Sequence, residues 1–179
     1  SACGAAAVNV SYTSREQIEV YRFSLPAAIF IPLLALFLQA FLPLRLHFFE
    51  IFDLPLLVTI FMAVSRRNPA TGLLTGSVIG LLQDSLTHQP IGIYGIAKTV
   101  VGYGASSLGV KLDVENSGSR FLLVFGFYLV HQVIYLIVAR GMVGQDLAWR
   151  WGHMAFAAFC NAALAVPLFM VLDHFKQRG

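Results

Sequence analysis

Asp84 and Lys98 are ionisable residues set in otherwise apolar stretches of this chain. Charge is costly in such surroundings, so both are functional candidates by default. Asp84 closes an apolar segment, where its carboxylate, together with Ser85, can accept backbone N–H groups at the start of the following helix. Lys98 stands about two turns into the next segment, and three readings stay open for it. It can snorkel outward, pair with Asp84 across the reversal, or line a cavity. A polar cavity would draw on Gln39, Lys98, His131, Tyr135 and Asn161, few groups for a vitamin-type site. His131 and His153 fall near or within helices, where a single histidine more often bonds a neighbouring helix than performs catalysis. No nucleophile elbow, HExxH or phosphate-binding loop is visible. A proton relay would need more carboxylates than the apolar segments contain.

Small residues form the most regular pattern. Gly72, Gly76 and Gly80 recur every fourth residue and so share one face of a helix. Gly95, Thr99, Gly102, Ser106 and Gly109 step by four and three and form a second stripe. In lipid, apolar burial does not drive helices together, whereas close van der Waals approach does, and small residues permit it. Two consecutive smooth helices are therefore expected to pack tightly, on each other or on a partner's helix.

The elements that position these residues follow from composition and hydropathy. Charged residues make up 12% of the 179 and hydrophobic ones 58%. A typical soluble domain has about 25% charged residues, so a membrane protein is expected. The net charge of +3 comes without a basic run interleaved with aromatics, which excludes nucleic acid as a partner. Cys3 and Cys160 are too far apart for a metal motif or a disulfide framework, and no cofactor is implied. The chain opens on Ser1, which points to truncation or processing.

Six apolar segments are expected to span, giving an all-α polytopic bundle of about six transmembrane helices. They are Phe23 to Leu44, Leu54 to Ser65, Ala70 to Gln83, Ile93 to Val110, Phe121 to Ala139 and Gly152 to Leu172. The second reaches spanning length, about 20 residues, only if Phe48 to Asp53 joins it. Pro32 suggests a kink in the first. "SRRNP" makes a tight charged turn, "DSLTHQPIG" a polar reversal beginning at Asp84, and "KLDVENSGSR" a loop. Trp149 and Trp151 suit a headgroup belt, and Asp146 and Arg150 a local helix pair. Residues 1–21 form an N-terminal segment, 22–174 the transmembrane domain and 175–179 a tail. One side then carries Arg15, Arg22, Arg66, Arg67, Lys111, Arg120, Lys176 and Arg178, and the other only Arg45, Arg140 and Arg150. That asymmetry places both termini in the cytoplasm by the positive-inside rule.

The stretch "RRNPATGLLTGSVIGLLQDSLTHQPIGIYGIAKTVVGY" resembles the core of the MreD family of rod shape-determining membrane proteins. The resemblance rests on the turn Arg66, Arg67, Asn68 and Pro69, the glycines Gly72, Gly76 and Gly80, Asp84, Gly92 eight residues later, and the small-residue helix that follows. It covers roughly Ser65 to Asn116. It implies a bacterial inner-membrane protein of the cell-elongation machinery that partners MreC and, through it, MreB, RodA and a class B penicillin-binding protein. It also implies a fold similar to the substrate-binding subunits of energy-coupling-factor vitamin transporters.

The resulting expectation is a non-enzymatic scaffold for peptidoglycan synthesis whose small-residue faces dock MreC's membrane helix amid membrane lipids. The alternative is a small-molecule- or lipid-binding subunit of a vitamin-type transporter. An enzyme or flippase acting on a lipid-linked precursor is weaker, because the segments show no paired intramembrane charges.

Overall fold

The computed structural model describes residues 21–23, 25–109, 116–144 and 150–178. The expected N-terminal segment lies almost wholly outside these residues. So do half of the "KLDVENSGSR" loop, Asp146 and Trp149; the other half of that expected loop is helical from Ser117 onward, capped by Asn116.

Among the described residues six α-helices form, as the hydropathy predicts: α1 (Leu25–Arg45), α2 (Leu54–Arg66), α3 (Pro69–Leu86), α4 (Ile93–Gly109), α5 (Ser117–Val143) and α6 (Trp151–Asp173). Three of them, α1, α5 and α6, are long and apolar enough to cross a bilayer unaided. Their outward faces carry Ile29, Phe30, Phe37, Leu122, Ile137 and Phe159, all exposed. A surface so apolar suits lipid rather than water. α1 runs unbroken through Pro32 and Pro43.

The second segment departs from expectation. Phe48 to Asp53 does not lengthen α2. Instead His47–Ile51 forms a 3₁₀ turn, and the helix restarts at Leu54. Pro55 favours a break here, because proline lacks an N–H and clashes with the carbonyl four residues back, that of Ile51, although α1 carries Pro32 and Pro43 without one. Proline is tolerated in the first turn, and Asp53 caps that turn by accepting the Leu56 N–H. At 1.5 Å per residue α2 is only about 20 Å long, short of the roughly 30 Å hydrocarbon core. Every residue from Pro55 to Ser65 is buried. α2 is the central column of the bundle, and its neighbours shield it from lipid.

The third segment also differs, since α3 continues to Leu86 and takes in Asp84. The polar reversal is therefore the shorter stretch Thr87 to Gly92. The "RRNP" turn needs only Arg67 and Asn68 between α2 and α3. Arg67 adopts the left-handed conformation (φ 49°), and the Asn68 side chain accepts the N–H groups of Ala70 and Thr71. Pro69 then opens α3.

Two three-residue strands, β1 (Tyr21–Phe23) and β2 (Lys176–Arg178), pair antiparallel with Arg22 opposite Gln177. This ribbon, an addition to the all-helical expectation, holds the two ends of the bundle side by side. An Arg120–Asp173 ion pair at 2.7 Å ties the start of α5 to the end of α6.

Candidate functional site

The two small-residue stripes meet each other. A Cβ added at Gly72 would fall on the carbonyl oxygen of Gly102, and one at Gly76 on that of Lys98. At Gly80 it would lie 2.5 Å from the Tyr94 carbonyl oxygen and 2.7 Å from the Gly95 Cα. Gly102 returns the contact against Gly72. α3 and α4 thus touch backbone to backbone, an approach that only glycine allows. Ser106 donates its hydroxyl to the Gly102 carbonyl (2.8 Å) and Thr99 to the Gly95 carbonyl (2.6 Å), so neither leaves an unpaired hydroxyl there. Gly95 lies against the Leu81 side chain, and a Cβ added at Gly109 would lie 3.0 Å from the Cα of Val64 in α2. Of the two arrangements expected for these stripes, the structure adopts the internal one. Gly72, Gly76, Gly80 and Gly102 are buried in this seam, and Gly95 and Thr99 also border a groove beside Leu81 and Ile96.

Asp84 closes one end of this seam. From within α3 its carboxylate accepts the N–H groups of Gly92 (2.8 Å), Tyr94 (3.0 Å) and Gly95 (3.1 Å). These are free donors at the start of α4, and the positive end of that helix dipole favours a carboxylate there. Gly92 has φ +112°, a conformation that side-chain-bearing residues rarely adopt. Ser85 takes no part in the cap, because its hydroxyl donates to the Leu81 carbonyl.

Lys98 does not pair with Asp84. Its ammonium donates to both carboxylate oxygens of Asp53, at 2.8 and 2.7 Å. The lysine side chain is fully buried and that of Asp53 is 13% exposed. The expectation that the apolar segments lack paired charges is overturned by this pair. Neither snorkelling nor a bond to Asp84 is needed, because Asp53, 45 residues away in sequence, is the counter-charge.

Around Asp53 the other polar residues gather. The Asp53 N–H donates to Asn161 Oδ1 (2.9 Å), and Asn161 Nδ2 donates to the carbonyls of Ile51 (2.7 Å) and Ala157 (2.8 Å). The Leu54 N–H donates to Gln39 Oε1 (3.1 Å). His131 is buried with Nε2 3.9 Å from Asp53 Oδ2. Its ring stacks on Tyr94 (centroids 5.9 Å apart), and Tyr94 stacks on Tyr135 (5.0 Å). The Lys98 ammonium stands 5.4 Å from the centroid of the Tyr94 ring. Four of the five expected cavity residues, Gln39, Lys98, His131 and Asn161, therefore converge on Asp53, and Tyr135 joins through Tyr94.

The physical reason lies in the broken link between α1 and α2. Irregular backbone inside a bundle must find partners other than water. Gln39 and Asn161 supply them for the N–H groups of Leu54 and Asp53 and for the carbonyl of Ile51. Gln39, Lys98 and Asn161 thus spend their polar atoms on the protein itself, whereas the buried His131 ring nitrogens have no hydrogen-bond partner. Asp53 is the residue that sequence reasoning missed. Two signals pointed to it: an acidic residue just before a Pro-containing apolar run is an N-cap signature, and Lys98 required an acidic partner.

Among the described residues no three His, Cys, Asp or Glu side chains cluster as metal ligands. The chemistry on display is charge neutralisation and helix cross-linking, joining α1, α2, α4, α5 and α6 at one point.

A family model described as rod shape-determining protein MreD matches residues 19–178. The chain belongs to the MreD family. It is a membrane protein of rod-shape determination. No curated protein and no solved structure matches it. The family match extends far beyond the Ser65–Asn116 core that carries the resemblance and takes in Asp53, His131 and Asn161.

Proposed function

We propose that this MreD-family chain is a non-enzymatic scaffold of the bacterial cell-elongation machinery. It sits in the inner membrane with both termini cytoplasmic. It binds MreC and, through MreC, connects to RodA, a class B penicillin-binding protein and MreB. The observation that carries this reading is the family match over residues 19–178. The side chains support it too: Lys98 is neutralised by Asp53, Asn161 and Gln39 are spent on backbone, and Asp84 is spent on a helix cap. The same commitments weigh against the vitamin-transporter alternative, which needs convergent polar groups left free for a ligand. The two-stranded ribbon beside α1 and α6 fits an even number of crossings.

The packing of Gly72, Gly76, Gly80 and Gly102 inside the seam supports an MreC contact on another face of the bundle. Co-expression with MreC, gentle-detergent extraction and identification of co-purifying chains tests the reading. Recovery of MreC in fixed ratio to this protein is expected. Monodisperse, folded protein recovered without MreC would contradict it.

A further inference from the structure

We propose that the groove between α1 and α3 is a binding site for one acyl chain of an anionic phospholipid, with the headgroup held at Arg66. The groove has a volume of about 420 Å³ and is walled by apolar side chains such as Leu33, Val78 and Leu82. Its polar lining is confined to Arg66, at the end of α2, and to Thr71 and Thr75 in the first turns of α3. The charge and the hydroxyls thus occupy one end, and the rest is hydrocarbon-like. Arg66 is half-buried and makes no ion pair among the described residues, so its guanidinium lacks a counter-charge there. A guanidinium matches the oxygens of a phosphate well.

The length fits as well. From Thr71 to Leu82 the groove follows α3 for about 17 Å at 1.5 Å per residue, and one leaflet of hydrocarbon is about 15 Å deep. A partner's transmembrane helix would need a surface twice as long. A second groove of about 790 Å³, between α1 and α6, is lined by residues such as Leu34 and Leu168 and carries no charged residue among the described ones. It serves as the internal control.

The full-length protein in detergent is offered equimolar dioleoyl phosphatidylglycerol and dioleoyl phosphatidylcholine, and retained lipid is read by native mass spectrometry. One basic residue near the headgroup corresponds to about a fivefold preference. The wild type is expected to retain phosphatidylglycerol about fivefold over phosphatidylcholine. Arg66→Gln abolishes the preference, Arg66→Lys keeps most of it, and Leu34→Trp leaves it unchanged. Val78→Trp, at an exposed position that tolerates bulk, fills the groove and removes bound phosphatidylglycerol. This variant carries the test if Arg66→Gln fails to fold. Equal retention of both lipids by the wild type, a preference that survives Arg66→Gln, undiminished lipid on Val78→Trp, or displacement of both lipids by a co-purifying protein would each overturn the proposal.

Discussion

The α3–α4 seam and the Asp53 centre hold the same bundle together by opposite means. The seam works because side chains are missing. Gly72, Gly76, Gly80 and Gly102 let two backbones touch, and dispersion summed over that contact supplies the attraction. The centre works because side chains are present. Asp53, Lys98, Asn161 and Gln39 reach from four different places to satisfy a stretch of irregular backbone and one another. In lipid neither hydrophobic collapse nor water is available inside the bundle. A regular pair of helices therefore associates through shape, and an irregular link survives through designated polar partners. The first device is intolerant of added volume and the second of lost charge.

The largest expected effect comes from adding volume to the seam. Gly76→Leu drives a side chain into the Lys98 carbonyl and backbone, so it should cost more than the roughly 3 kcal/mol usual for overpacking. Loss of monodisperse protein on size-exclusion chromatography reads this out. Gly126→Leu in α5, where a Cβ meets nothing within 4 Å, should behave as wild type. Equal behaviour of the two would dissolve the distinction between seam and surface.

Next comes the removal of one charge at the centre. Asp53→Asn leaves the Lys98 ammonium buried without a counter-charge, an imbalance that costs about 3–5 kcal/mol in comparable buried pairs. Thermal unfolding in detergent should show a large fall in midpoint. Asp84→Asn is expected to be milder, about 1–2 kcal/mol, because the amide keeps one oxygen for the α4 N–H groups and strands no opposite charge. A loss as large as that of Asp53→Asn would mean that Asp84 belongs to the charged centre and is more than a cap. The smallest effect is at the turn. Arg67→Gly relieves a left-handed conformation in a non-glycine residue and should change stability by no more than about 1 kcal/mol, in the favourable direction. A clear loss would assign the Arg67 side chain a contact role.

The seam was legible in the sequence because its signal is periodic: small residues at steps of four and three fix a helix face without knowledge of the partner. The helix count was legible for the same kind of reason, since hydropathy runs are local. Asp84's work as a cap could be read from its place before a reversal, although α3 runs two residues past it. What was not legible depended on distance along the chain. Asp53 meets Lys98 across 45 residues and Asn161 across 108, and no local pattern encodes such meetings. The shortness of α2 was hidden by the apolar residues before it, and Pro55 was the local clue to the break. Residues chosen as cavity candidates for their polarity were the right ones to single out. Their task is to satisfy backbone, and that emerges only once the break between α1 and α2 is known.

A double-mutant cycle on Asp53 and Lys98 tests most directly whether the bundle closes on an internal charge pair. Unfolding is followed in detergent for the wild type, Asp53→Asn, Lys98→Met and the double variant. The account predicts that each single variant is strongly destabilised and that the double recovers a large part of the loss, with a coupling of about 2 kcal/mol or more. Additive losses, or a Lys98→Met variant as stable as the wild type, would contradict it.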